Sequence, residues 1–204
     1  MIRSKSSETP LITLASASPR RQELLDQIQL SYEVLPVDID ESHIAGETAQ
    51  QFVKRLATDK ARAGYEKRPY RPALGSDTIV LMGKQILGKP RDRDMAIEML
   101  SMLSGQTHQV MTAVAICTAD DQRCLLSASE VEFDELSLQQ IEAYWETGEP
   151  QDKAGAYGVQ GIAAQFIKNI NGSYSGIMGL PLFETNKLIK MAGIDLLPGP
   201  VSME

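Results

Sequence analysis

Pro10-Leu11-Ile12-Thr13-Leu14-Ala15-Ser16-Ala17-Ser18-Pro19-Arg20-Arg21-Gln22-Glu23-Leu24-Leu25-Asp26-Gln27-Ile28 is the stretch on which the fold turns. Pro10 to Ala15 carries Leu11, Ile12 and Leu14, a short apolar run that predicts a strand. Ser16-Ala17-Ser18 breaks it, and Leu24, Leu25 and Ile28 then return at helical spacing. Ser18 is placed to cap that helix and Pro19 suits its first position. Arg20 and Arg21 sit in the first helical turn, where cations oppose the helix dipole at about 0.3–1 kcal/mol each. A phosphate chain bound to the free N–H groups and serine hydroxyls there would reverse that penalty. Otherwise the arginines reach solvent or pair with Glu23 or Asp26. The glycines and terminal Lys-Ser/Thr of a P-loop are missing.

Working outward, Tyr32 to Ile39 reads as extended and leads into an acidic turn, Asp38 to Glu41. Thr48 and Gln51 have capping-box spacing, and the helix behind them is expected to run to about Gly64. Ala73 to Met82 predicts an interior strand that Gly83-Lys84 turns back toward Ile86 and Leu87. Pro90-Arg91-Asp92 opens a helix with Met95, Met99 and Leu103 on one stripe, ended by Gly105. Val110 to Thr118 and Leu125 to Phe133 predict a hairpin around Asp120-Asp121-Gln122. Ser137 and Gln140 repeat the capping-box spacing for a helix to Trp145. Seven of the 15 glycines fall between Gly148 and Gly179, which predicts turns and close backbone approaches. Pro181 begins a last helix that ends near Gly193. Strands alternate with helices early and hairpins come later, so the fold class is α/β with a mixed sheet.

The 204 residues suffice for one large or two small packed domains. With 20 basic against 27 acidic residues the net charge is -7, which argues against a wrapper of polymeric nucleic acid but leaves room for a local basic pocket. Cys117 and Cys124 are too few for a disulfide scaffold or a thiolate zinc site, and His43 and His108 have no metal-binding spacing. No run approaches the roughly 20 apolar residues of a membrane span, and the start lacks a secretory apolar core, so a cytoplasmic protein is expected.

Two residues break the pattern of their elements. Lys60 lies four positions beyond Leu56 on the inward stripe of its helix, so its ammonium either passes the core into solvent or faces a cleft. Asp77 interrupts the apolar strand Ala73 to Met82, and a buried carboxylate needs a partner or a structural hydrogen bond. Asp38, Asp40 and Glu41 are candidate companions, and oxygen-only ligands favour Mg²⁺ or Mn²⁺. Lys89 in Gly88-Lys89-Pro90 completes a cation set with Arg20, Arg21 and Lys60. A basic grip beside a carboxylate centre suits phosphoryl or nucleotidyl transfer. Ser16 and Ser18 have no base with a sequence signature of its own.

Several pieces occur in a telling order: Leu14-Ala15-Ser16-Ala17-Ser18-Pro19-Arg20-Arg21, Val37-Asp38-Ile39-Asp40-Glu41, Lys60-Ala61 and Gly75-Ser76-Asp77-Thr78-Ile79-Val80. Gly88-Lys89-Pro90, Asp152-Lys153-Ala154-Gly155-Ala156-Tyr157-Gly158-Val159-Gln160-Gly161 and Gly172-Ser173-Tyr174 to Gly179-Leu180-Pro181 follow. Together they resemble the Maf-like nucleotide pyrophosphatases over most of the chain. The resemblance implies an elongated mixed-sheet α/β fold with two lobes around a central cleft, related to the inosine triphosphate pyrophosphatases. It implies one catalytic domain over 11–193, with a lead-in at 1–10 and a tail at 194–204, and a homodimer.

The activity implied is hydrolysis of a nucleoside triphosphate between the α and β phosphates, giving the monophosphate and pyrophosphate. By the same resemblance Asp77 is the proton acceptor, and Glu41 and Asp77 are the carboxylates that work with a divalent metal. Ser16, Arg20, Lys60 and Lys89 face the phosphates. Arg21, Thr78 and Gln160 match the branch acting on thymidine and uridine triphosphates. A branch acting on 7-methylguanosine triphosphate differs there, with an aromatic-Arg pair in place of Arg20-Arg21. The family's association with septum formation leaves a third reading, a nucleotide-binding regulator with little turnover.

Overall fold

The opening strand and helix form as β1 (Ile12–Leu14) and α1 (Pro19–Gln27) in a computed structural model that describes residues 11–197. The expected lead-in at 1–10 and the tail residues 198–204 lie outside the described residues. Ser18 occupies the cap position in extended conformation but makes no side-chain cap; its N–H turns back to Ser16 Oγ at 3.2 Å. α1 buries Leu24 and Leu25. The next strand, β2 (Tyr32–Val34), stops well short of Ile39. β1, the strand it pairs with in parallel, is only three residues long, so the ladder runs out and the chain from 35 to 47 leaves the sheet.

α2 (Ala49–Lys67) has both halves of the Thr48–Gln51 capping box. It continues past Gly64 because that glycine serves packing: a Cβ there would lie 2.9 Å from Ala15 Cβ. β3 (Ala73–Met82) and β4 (Gln85–Leu87) follow, then α3 (Arg93–Leu103), capped by Asp92, whose carboxylate accepts the Met95 N–H at 2.8 Å. β5 (Thr107–Cys117) and β6 (Gln122–Phe133) form a hairpin longer than expected, with Gln122 inside the strand rather than the turn. Cys117 stands opposite Gln122 and Cys124 opposite Ala115, and both thiols are free.

α4 (Leu138–Glu146) carries the second capping box. The glycine-dense stretch holds short 3-10 turns between Glu149 and Phe166, then a strand that sequence pattern did not reveal, β7 (Ile167–Asn171). Ile167 and Ile170 do not alternate, and among the described residues β7 pairs only β6, across a register shift at Glu132/Phe133. α5 (Tyr174–Met178) and α6 (Leu182–Met191) complete the order.

The sheet runs β2-β1-β3-β5-β6-β7, with β4 also on β3. The first two pairings are parallel and the rest antiparallel, so the sheet is mixed as expected. β5 pairs β3 along nearly its whole length. On the other edge β1 reaches only Ala73 and Leu74, and β4 only Val80 to Met82. The intervening Gly75–Ile79 edge has no strand beside it among the described residues. The core divides correspondingly. Ile12, Leu14, Leu25, Leu188 and Ile189 pack at one end, joined by Ile194 and Leu196, while Leu100, Leu103, Phe133 and Ile141 pack at the other.

Candidate active site

Asp77 sits at the middle of the unpaired edge of β3. Strand alternation turns Gly75, Asp77 and Ile79 toward α2, and Ser76 and Thr78 the opposite way. Gly75 is there because any Cβ would collide with the Ala57 carbonyl and the Ala61 N–H, so its absence lets α2 lie against the strand. Lys60 then reaches Asp77 Oδ1 at 2.7 Å, and Glu41 Oε1 at the same distance. The Lys60 and Asp77 side chains are only 13% and 12% exposed, whereas Glu41 is 60% exposed. Burial pushes the Glu41 carboxyl up, but the Lys60 hydrogen bond and charge, with Lys89 and Arg21, bring it below its ordinary value.

The loop bearing Glu41 is fastened to the same helix as Lys60. Arg55 donates from Nε and Nη2 to the two oxygens of Glu47, at 2.8 and 2.9 Å, and from Nη2 to the Ser42 carbonyl at 2.9 Å. This fork explains why Glu41 faces the cleft. The other two acids do not: Asp38 and Asp40 stay outside its lining, and Asp40 instead accepts the Ser42 N–H at 2.8 Å. The expectation that they join Asp77 is thus corrected, and among the described residues no cluster of three His, Cys, Asp or Glu could hold a metal. Glu41 and Asp77 alone converge on one cation, the Lys60 ammonium. Two carboxylates plus substrate phosphate oxygens suit Mg²⁺ or Mn²⁺, which keep several waters, so this pair fits a divalent ion.

Across the cleft the β1–α1 loop supplies the basic side. Arg21 is half-buried and turned inward rather than snorkelling or paired with Glu23 or Asp26: Nη1 donates to Ser16 Oγ and Nε to the Gly179 carbonyl, each at 2.9 Å. Gly179 closes α5 at φ +117°, a conformation that glycine tolerates, and its carbonyl also accepts from Ser76 Oγ at 2.9 Å. Arg20 Nη1 lies 3.3 Å from Asp152 Oδ2, while Lys153 Nζ holds the other oxygen at 2.8 Å. Thr78 Oγ1 is 2.9 Å from the Thr112 hydroxyl.

The nine residues to which the family resemblance gives a role, Ser16, Arg20, Arg21, Glu41, Lys60, Asp77, Thr78, Lys89 and Gln160, line one cavity of about 860 Å³. Ser18 lines it too. Asp152, Lys153 and His43 also line it and went unassigned in the sequence. Lys153 lay within a quoted motif, so its charge in a glycine-dense run was a usable signal. His43 had none, because its position depends on the loop and on stacking against Phe52 at 5.0 Å.

A mixed sheet parted along β3 around a lysine-bound carboxylate pair defines the class of cleft, and comparison with known proteins gives the family. Residues 11–192 match the family described as Maf-like protein, and the chain belongs to it. It is 50% identical over 183 residues to the dTTP/UTP pyrophosphatase of Pseudoalteromonas atlantica, covering 88% of this chain and 95% of that one. It is 51% identical over 180 residues to the dTTP/UTP pyrophosphatase of Saccharophagus degradans, covering 86% of each. Among solved structures it is similar to the Staphylococcus aureus Ham1 protein, at 15% identity and a TM-score of 0.44, over 60% of this chain and 71% of that one.

Proposed function

We propose that this chain hydrolyses dTTP and UTP between the α and β phosphates, releasing the nucleoside monophosphate and pyrophosphate. The observation that carries the chemistry is Lys60 between Asp77 and Glu41, facing a set of cations in one cleft. The substrate names come from relatives that are half identical over most of both chains.

Lys60 engages Asp77 Oδ1, which leaves Oδ2 to orient the attacking water and take its proton. Pyrophosphate leaves with several negative charges, and fixed cations that stand ready to neutralise them need no rearrangement during the reaction. Arg20, Lys89 and Lys153 are those cations, with Arg20 exchanging Asp152 for phosphate. Glu41 and Asp77 would hold a divalent ion, Mg²⁺ or Mn²⁺, which when bound supplies further neutralisation of phosphate charge. On the base side, Gln160 is the one carboxamide lining the cleft among the described residues, with both a donor and an acceptor for a pyrimidine edge. Thr78 and Arg21 line the same cleft and are the other two specificity positions in this reading.

The net charge of -7 supports free nucleotides rather than polymeric nucleic acid as the substrate. No helix of the described residues is long and apolar enough to cross a membrane. A homodimer belongs to the reading and rests on the family resemblance, and a cytoplasmic location belongs to it as the sequence expectation given above.

The test is product analysis with Mg²⁺ and, separately, Mn²⁺ on thymidine, uridine, cytidine, guanosine and 7-methylguanosine triphosphates. Monophosphate plus pyrophosphate from dTTP and UTP, lost in Asp77→Asn, is the expected outcome. Preference for the methylated guanine substrate would overturn the specificity, and no turnover in folded protein would overturn the enzyme.

A further inference from the structure

We propose that Glu149, with Tyr144, is the positioning residue that fixes the base-side turn 158–163 and so sets discrimination between pyrimidine bases. The inference rests on the reading of Gln160 given above. Glu149 does not line the cleft. Its carboxylate lies behind the turn and accepts three hydrogen bonds: the Ile162 N–H to Oε2 at 2.8 Å, the Ala163 N–H to Oε1 at 3.3 Å, and the Tyr144 hydroxyl to Oε1 at 2.7 Å. Tyr144 OH in turn accepts the Gly158 N–H at 3.3 Å. The turn is therefore riveted at both ends to one acid, and the Gly161 N–H to Gly158 carbonyl bond at 3.1 Å closes it.

The glycines confirm how closely the acid fits. A Cβ at Gly161 would fall on the Glu149 carboxylate, so a side chain there would push the acid out of its place. Burial pushes the Glu149 carboxyl up, and the hydrogen bonds from Ile162, Tyr144 and Ala163 bring it below its ordinary value. The acid is thus a stable anchor at neutral pH.

Why a rigid turn matters follows from the chemistry of a carboxamide. Uracil and thymine offer a donor at N3 beside an acceptor at O4, while cytosine offers the reverse. A Gln side chain can flip to suit either, since it carries a donor on one side and an acceptor on the other. Discrimination therefore needs the amide held in one orientation, and that in turn needs the backbone that carries Gln160 held in one place; the mismatched base then leaves polar groups unpaired.

The experiment compares wild type, Glu149→Gln and Tyr144→Phe. Glu149→Gln keeps the shape but turns an acceptor oxygen into an NH₂ that faces an N–H. The ratio of kcat/KM for UTP over CTP is expected to fall about tenfold, the scale of one hydrogen bond, chiefly through a higher KM for UTP. Tyr144→Phe is expected to lose a smaller share of the ratio. Amide exchange at Ile162 and Ala163 is expected to quicken in Glu149→Gln while β3 stays protected. An unchanged ratio, an equal loss on both nucleotides, or unaltered exchange at Ile162 and Ala163 would each overturn the inference. A wild-type enzyme with no preference for UTP would contradict the proposed substrate instead, and amide exchange would still decide whether Glu149 holds the turn.

Discussion

At Lys60 one ammonium group holds two carboxylates that would otherwise repel each other, and this decides what substitution there does. Lys60→Gln leaves Asp77 nearly buried without its cation, so both catalysis and stability are expected to fall. Steady-state kinetics should show kcat down about 10²–10³-fold, the usual scale for losing a fixed charge at such a centre. His108 is a second residue whose surroundings have a measurable consequence. Its Nε2 meets the Tyr157 hydroxyl at 2.8 Å, its Nδ1 has no partner among the described residues, and burial lowers its pKa from 6.5 to about 4. Between those values the unfolded chain takes up a proton that the folded chain refuses, so stability is lost as pH falls through that window. The loss from this group grows to about 3 kcal/mol near pH 4. Denaturant titrations between pH 7 and 4 should show it, and His108→Gln should flatten the slope. Asp77 and Lys60 were legible in the sequence because a charge on an apolar stripe stands out, although the stripe alone left open a solvent-reaching lysine and a structural aspartate. Glu149, Arg55 and Asp152 were not, because acids and bases in polar segments look the same whether they bind solvent or brace a loop.

Elements were legible where their ends carry side-chain chemistry. The capping boxes at Thr48 and Ser137 mark α2 and α4 because a hydroxyl and a carboxamide three residues apart satisfy each other's backbone donors. β7 and the end of β2 were not, since pairing partners rather than local pattern set their extent. Gly64 misled for a related reason: it answers a contact with Ala15 rather than a helix end. The loop 35–47, which has no regular structure, depends on the Arg55 fork to α2. Arg55→Ala is expected to free Glu41 and lower kcat on dTTP about tenfold, with Arg55→Lys recovering only part because an ammonium cannot span Glu47 and Ser42 together. An unchanged kcat in Arg55→Ala would show that the loop holds Glu41 by other means.

For the whole molecule, the parting of the sheet along β3 matters most. β1 leaves that strand after Leu74 and β4 joins it only at Val80, so the two ends of the core meet at an edge where Asp77 lines the cleft. A chain of net charge -7 nonetheless gathers Arg20, Arg21, Lys60, Lys89 and Lys153 around that edge. The α/β class was legible from alternating strand and helix patterns. The gap was not, because strand order and the length of each pairing are properties of the assembled sheet. The central claim is that water attacks the α-phosphorus beside Asp77. Hydrolysis of dTTP in ¹⁸O-labelled water, followed by mass analysis of both products, tests it directly. The account predicts the label in the thymidine monophosphate and none in the pyrophosphate; label in the pyrophosphate, or release of labelled inorganic phosphate, would contradict it.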